Sequence, residues 1–213
     1  MIWLRSNKVT LAIFLVWLFH ISGIIGISFG HEEWFIQKTP LNLLVCTVLF
    51  VWIYPVKSLR VWSVFGIYFV LGMFAEWLGA NHSLLFGSYD YGENLGPKLD
   101  GVPFFIGINW ALLTFITAEI TSKFSNSIWI KAFTGAGLMV VLDFFMEQSA
   151  PHFDFWSFGN EVPLENYVTW YILAFLFHLI FQRFKISGNY SISLNLFLAQ
   201  AIFFIYFTGF PIR

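Results

Sequence analysis

Seven apolar runs, at about 9–29, 41–56, 61–80, 103–121, 127–147, 165–182 and 190–210, leave this chain few folds to choose from. The runs are continuous rather than alternating, which predicts helices and disfavours strands. A helix needs about 20 apolar residues to cross the hydrocarbon core of a bilayer. Most of the runs approach that length, and 41–56 is the short one. Only 11% of the 213 residues are charged and 58% are hydrophobic, with a mean hydropathy of +0.74. A soluble domain carries about 25% charged residues, so lipid rather than water is the expected solvent. The expected fold is all-α: a polytopic integral membrane helix bundle of about seven transmembrane helices, with 1–213 as a single transmembrane domain.

The first run follows Arg5 and Lys8, as in a signal peptide. It is longer than the roughly 7–15 apolar residues of a signal peptide and has no A-x-A site, so it reads as an uncleaved transmembrane helix. Basic residues then alternate between connections. Arg5, Lys8, Lys57, Arg60, Lys123, Lys131, Arg183 and Lys185 fall on one side; Lys38, Lys98 and Arg213 fall on the other. The positive-inside rule puts the N-terminus in the cytoplasm and the C-terminus outside. A bacterial cytoplasmic membrane is the expected location, with the longer acidic loops 30–40, 81–102 and 148–164 outside.

Several functions are disfavoured. The chain has no basic stripe, zinc-finger spacing or RNA-binding signature, so nucleic acid is not an expected partner. Cys46 is alone and cannot form an internal disulfide; it reads as a small packing residue. No G-x-G-x-x-G, H-x-x-H, H-x-x-x-H, E-x-x-H or D-D-x-x-D pattern occurs. Neither a cofactor nor a metal is expected.

The acids are placed more tellingly. Glu76 closes one run, Asp143 and Glu147 close another, and Glu165 opens a third, all at the outer ends of their helices; Glu119 lies near the cytoplasmic end of the fourth. A charge left at helix-centre depth costs roughly 2.5–3.5 kcal/mol, so such groups face a protein interior or a wet cavity. Asp143 and Glu147 share one helix face by their spacing. They are either carboxylates snorkelling to headgroups or a coupled pair sharing a proton. The functional reading leads there and for Glu76, and Asp90 is evenly balanced. Asp100, Glu93, Asp154 and Glu161 read as solvated loop charges. His20 and His178 read as hydrogen-bonded packing residues, and His82 and His152 on the outer loops are better placed for polar work.

The two long loops echo each other. Glu76, Phe86-Gly87, Val102-Pro103, Asn109 and Trp110 have counterparts in Glu147, Phe158-Gly159, Val162-Pro163, Asn166 and Trp170. Internal duplication is one reading; recurrence of Pro at helix starts and of interfacial aromatics is the other. Most aromatics belong to lipid-facing surfaces. Trp77, Tyr89, Tyr91, Trp110, Phe144, Trp156 and Trp170 stand apart because they neighbour the acids in sequence or in depth. Aromatic faces beside a carboxylic acid suit a carbocation, worth about 2 kcal/mol or more when desolvated. The inventory fits proton-initiated chemistry on a hydrocarbon dissolved in the bilayer, such as hydration or cyclisation of an isoprenoid double bond.

Two blocks of the chain resemble the CruF-type carotenoid hydratases. The first is Glu76-Trp-Leu-Gly79, Phe86-Gly-Ser-Tyr-Asp-Tyr91, Leu95-Gly-Pro97, Gly101-Val-Pro103 and Trp110. The second is Asp143-Phe-Phe-Met-Glu147, Phe155-Trp156, Val162-Pro163 and Asn166-Tyr-Val-Thr-Trp170. Together they span about 70–172. The resemblance implies addition of water across the terminal 1,2 double bond of an acyclic carotenoid end group, without a cofactor. Its expected partners are a carotenoid in the bilayer and other enzymes of carotenoid biosynthesis. The candidate catalytic residues are Glu147, Asp143, Glu76 and Asp90; Trp77, Tyr89, Tyr91, Asn109, Trp110, Trp156, Asn166 and Trp170 are candidates for holding the substrate or the water. Rival readings are an integral membrane lycopene cyclase, to whose P-x-E-E element Pro163-Leu-Glu165 has a faint likeness, a proton-coupled transporter, and a non-catalytic carotenoid-binding protein.

Overall fold

The computed structural model describes residues 2–54 and 58–210; Lys57, Arg213 and the side chain of Arg5 lie outside the described set. Among the described residues there are eight helices: α1 (Ile2–Ser28), α2 (Glu32–Ile36), α3 (Thr39–Ile53), α4 (Leu59–His82), α5 (Phe104–Thr121), α6 (Ile128–Ser149), α7 (Leu164–Arg183) and α8 (Tyr190–Gly209). Six are long and apolar enough to cross a membrane, and α3, at 15 residues, is shorter. The all-α membrane bundle expected from the runs is thus borne out, with the short second run forming the short helix.

The helices start where the sequence offers caps. Ser58, Ser127 and Asn189 each accept a backbone N–H three residues on, at the starts of α4, α6 and α8. Pro103 and Pro163 sit at the N-cap positions of α5 and α7. Both precede a tryptophan by the same distance, 103 to 110 and 163 to 170.

Helix α5 is the pillar of the bundle. Every residue from Asn109 to Thr121 is buried, and α5 packs against α3, α4, α6, α7 and α8. Fully buried small residues line the helix contacts, among them Ala12, Ala111, Ala136, Ala174 and Ala199, which lets the backbones approach closely without a hydrophobic drive from water. Large side chains such as Phe14, Val70, Phe133 and Ile172 are exposed on the outside, as a lipid-facing surface requires.

Cross-contacts establish the directions. Trp17 Nε1 donates to Asn195 Oδ1 at 2.7 Å and the hydroxyls of Ser28 and Tyr206 lie 3.0 Å apart, so α1 and α8 run parallel. Helix α3 links the two ends of the bundle despite its length. Its first residues line a cavity with Phe155, while Tyr54, just past its end, meets Phe115 edge-on and fills the space beside Gly188.

The acid-bearing end carries short strands that the runs did not predict. β1 (Tyr89–Tyr91) pairs antiparallel with β4 (Trp156–Phe158), and β2 (Lys98–Leu99) pairs with β3 (Val102–Pro103). In the first ladder Tyr89 faces Phe158, Asp90 faces Ser157 and Tyr91 faces Trp156. The two long loops are therefore stitched together over the helix ends. Asp154, read as a solvated charge, strengthens the stitch by accepting the Glu93 N–H at 2.8 Å.

Candidate active site

Three carboxyls converge beneath this ladder. Glu76, Asp143 and Glu147, all buried, line one cavity with Tyr89, Tyr91, Asn109, Trp110, Trp156, Asn166 and Trp170. Its volume of about 20 Å³ is enough for one water. No lysine or arginine lines it.

Glu76 is held from three directions. Tyr89 Oη and Tyr91 Oη donate to its Oε2 at 2.5 and 2.7 Å, and Trp110 Nε1 donates to its Oε1 at 2.7 Å. Glycines on the same face of α4 make room for these donors. A Cβ at Gly72 would lie 2.7 Å from the Trp110 Cβ, and one at Gly79 would lie 2.7 Å from both Phe86 and the Tyr89 hydroxyl. Burial above all, and then the Glu76 carboxyl, push both phenols well above their ordinary value, so they remain donors.

The other two acids share one amide. Asn166 Nδ2 donates to Glu147 Oε1 at 3.0 Å and reaches Asp143 Oδ2 at 3.4 Å. Trp156 Nε1 donates to Glu147 Oε2 at 2.7 Å. Asp143 Oδ1 is buried without a hydrogen-bond partner. Thus Glu76 collects three donors and keeps room for one more on Oε1, whereas Asp143 Oδ1 has none. Two ionised carboxylates side by side with no cation would repel in a low dielectric, which favours a shared proton.

The aromatic wall is ordered. Trp110 and Trp170 stack with ring centroids 3.8 Å apart and planes 17° from parallel, and Phe177 meets Trp110 edge-on at 5.6 Å. Tyr91 and Trp156, neighbours in the ladder with centroids 6.3 Å apart, separate the cavity from an outer cleft that also touches Asp90, Gly92, Pro151, Asp154 and Ser157.

The profile of a family described as carotenoid biosynthesis protein matches residues 38–210, more than half of the chain. The chain belongs to that family. The resemblance read from the two blocks around Glu76 and Glu147 is borne out at that level. Neither the curated proteins nor the solved structures contain a match to the chain.

For this carotenoid biosynthesis protein, most of the residues singled out in the sequence meet at the cavity, and some do not. Asp90 is exposed in the outer cleft, across the Tyr91–Trp156 wall from the carboxyls. Trp77 turns away, its Nε1 donating to Asp100 Oδ2 at 2.6 Å. Glu165 is exposed on the first turn of α7, so three acids converge rather than four. Glu119 caps the opposite end of the bundle by accepting the Gly188 N–H at 2.7 Å. His178 is a packing residue held by Thr117 and the Ala174 carbonyl. The echo between the loops holds for the two acids and for the Pro–Trp pairs. It fails for Phe86-Gly87 and Phe158-Gly159: Phe86 precedes β1, whereas Phe158 ends β4 opposite Tyr89. Ile106, Met146 and Phe158 also line the cavity; nothing in their type or spacing distinguishes them from ordinary core residues.

Proposed function

We propose that this carotenoid biosynthesis protein adds water across the terminal 1,2 double bond of an acyclic carotenoid end group, of the γ-carotene or lycopene kind. The observation that carries the reading is a one-water cavity shared by Glu76, Asp143 and Glu147 and walled by the stacked Trp110 and Trp170. Family membership and six membrane-length helices support a substrate dissolved in lipid.

In this mechanism Asp143 is the proton donor, because its Oδ1 makes no hydrogen bond that would compete. Its proton goes to C2, the double-bond electrons form the new C–H bond, and a tertiary cation remains at C1. The indole faces of Trp110 and Trp170 stabilise that cation by about 2 kcal/mol or more. Water held by Asn109 and Asn166 attacks C1 and releases its proton to Glu76, whose hydrogen-bond donors suit it to the basic role. A new water in the shared cavity then carries the proton from Glu76 to Glu147, and Glu147, tied to Asp143 through Asn166, returns one to Asp143, so all three acids regain their starting state and the balance is one water added per end group. General acid–base assistance of this kind is worth about 10²–10⁴-fold. The remainder comes from orienting one water and excluding the rest. Water reaches the cavity past Tyr91 and Trp156 from the outer cleft, which lies on the outer face of a bacterial cytoplasmic membrane with the N-terminus inside.

The test is expression in a bacterial host that accumulates lycopene or γ-carotene, followed by liquid chromatography and mass spectrometry of the pigments. A product heavier by one water, absent with Glu147→Ala, supports the hydratase. A product of unchanged mass but altered chromophore means that an internal alkene captures the cation, and the enzyme is a cyclase. Unchanged pigment in the presence of well-expressed protein refutes both.

A further inference from the structure

On its own the cavity at the carboxyls, about 20 Å³, has room for little more than one water. It is, however, the innermost of three cavities that share walls. Ile106, Asn109, Met146 and Trp156 line both it and a second cavity of about 70 Å³. His20, Thr39, Asn42, Phe155 and Phe203 line both that one and a third, of about 460 Å³, between α1, α2, the start of α3 and α8. The geometry points to a lateral tunnel for a linear polyene, running from the lipid between α1 and α3 to Trp156, so that the chain threads end-on and only its last double bond reaches the carboxyls. The inference rests on the hydratase reading for the identity of the polyene.

Three observations carry it. The outer mouth is rimmed by Leu18, Phe19, Trp34 and Leu41, all exposed large apolar side chains, with the exposed Lys38 beside them, so it opens at the boundary between hydrocarbon and headgroups. The outer section is held open by a small residue: a Cβ at Gly23 would already lie 3.2 Å from the Phe203 ring. The polarity rises inward. Gln200 and Asn109 are buried and have no side-chain hydrogen-bond partner among the described residues, and His20 uses only Nδ1, on the Val16 carbonyl at 2.8 Å. Leaving such groups dry and unpaired is unfavourable. A hydrocarbon tail therefore fits the outer section, and hydrogen-bonding groups collect where the reacting end and its water meet. Two routes then serve one chamber: the polyene comes through α1, α3 and α8, and water comes past Tyr91 and Trp156.

The test uses full-length protein purified in detergent from a lycopene-accumulating host, and measures pigment bound per protein by absorbance together with hydrated product in the membranes. Asn42→Trp and Thr39→Trp fill the junction between the outer and middle cavities without touching a carboxyl. Val48→Trp, on an exposed face of α3 outside the tunnel, is the control for folding. The expected result is bound polyene in the wild type and in Val48→Trp, and its loss with loss of product in both junction variants. Equal pigment in Asn42→Trp and wild type, or none in the wild type, overturns the tunnel. Wild-type protein that binds polyene at the tunnel but never hydrates it overturns the hydratase reading and leaves the tunnel standing.

Discussion

Trp110 performs two tasks with one side chain: its ring stacks on Trp170 at a centroid distance of 3.8 Å, and its Nε1 donates to Glu76 Oε1 at 2.7 Å. The cation-facing wall and the orientation of the carboxyl are thereby tied together, on the pillar helix where movement is most restricted. Separating the tasks is informative. Trp110→Phe keeps an aromatic face and removes the N–H, leaving a buried carboxyl oxygen unpaired. A hydrogen bond to a charged group is worth about 1.5–3 kcal/mol, so conversion should fall roughly ten- to hundredfold while the protein still accumulates, as read by pigment analysis against a blot.

The two ends of the carboxyl chain should fail differently from a surface acid. Asp143→Asn and Glu76→Gln each preserve shape and remove a proton-transfer group, and each should lower turnover by about 10²–10⁴-fold. Asp90→Asn, in the outer cleft, should leave turnover within about twofold of wild type, since surface changes away from such features are nearly neutral. Comparable losses in all three variants would place the chemistry elsewhere.

The glycines facing Glu76 should be intolerant. Gly72→Val places a Cβ 2.7 Å from the Trp110 Cβ, and overpacking of this kind costs about 1–3 kcal/mol. Gly137→Ala, whose added Cβ meets nothing within 4 Å, should be neutral or slightly stabilising in a helix. Thermal unfolding in detergent, followed by tryptophan fluorescence, should separate the two.

Tyr89 and Tyr91 make a pH prediction. Their phenols are pushed above the ordinary value of 10.0, chiefly by burial, so the folded protein keeps protons that the unfolded chain gives up. The stability they contribute is fully present below about pH 10 and is lost as pH rises beyond it. Detergent-solubilised protein should therefore lose stability on alkaline titration above that pH, and Tyr89→Phe with Tyr91→Phe should flatten the loss. A curve unchanged by the pair would mean that other groups control alkaline unfolding.

Much of the architecture was legible because membrane helices advertise themselves. Runs such as 103–121 and 190–210 have the length and apolarity that a bilayer imposes, and backbone hydrogen bonding in lipid leaves helices as the economical solution. The acids were legible for a related reason: Glu76, Asp143 and Glu147 are too costly at that depth to be incidental. The short strands were not legible, because two- and three-residue ladders such as Tyr89–Tyr91 with Trp156–Phe158 owe their existence to two loops brought together by four helices. Nor does any local signal separate Asp90 from its neighbours Tyr89 and Tyr91: alternation along β1 sends both tyrosines to Glu76 and leaves the aspartate exposed.

Chain order by itself therefore determined the solvent, the helix class and which polar residues had to be hidden, since each follows from the free energy of placing a given side chain in hydrocarbon. Which carboxyl collects three donors, which keeps an oxygen without a partner, which tryptophans stack and where a lipid-side cavity meets the acids were decided only by packing. Those properties depend on distances between helices far apart in sequence, such as α5 with α8 and α1 with α8, and helix packing is set by shape rather than by composition.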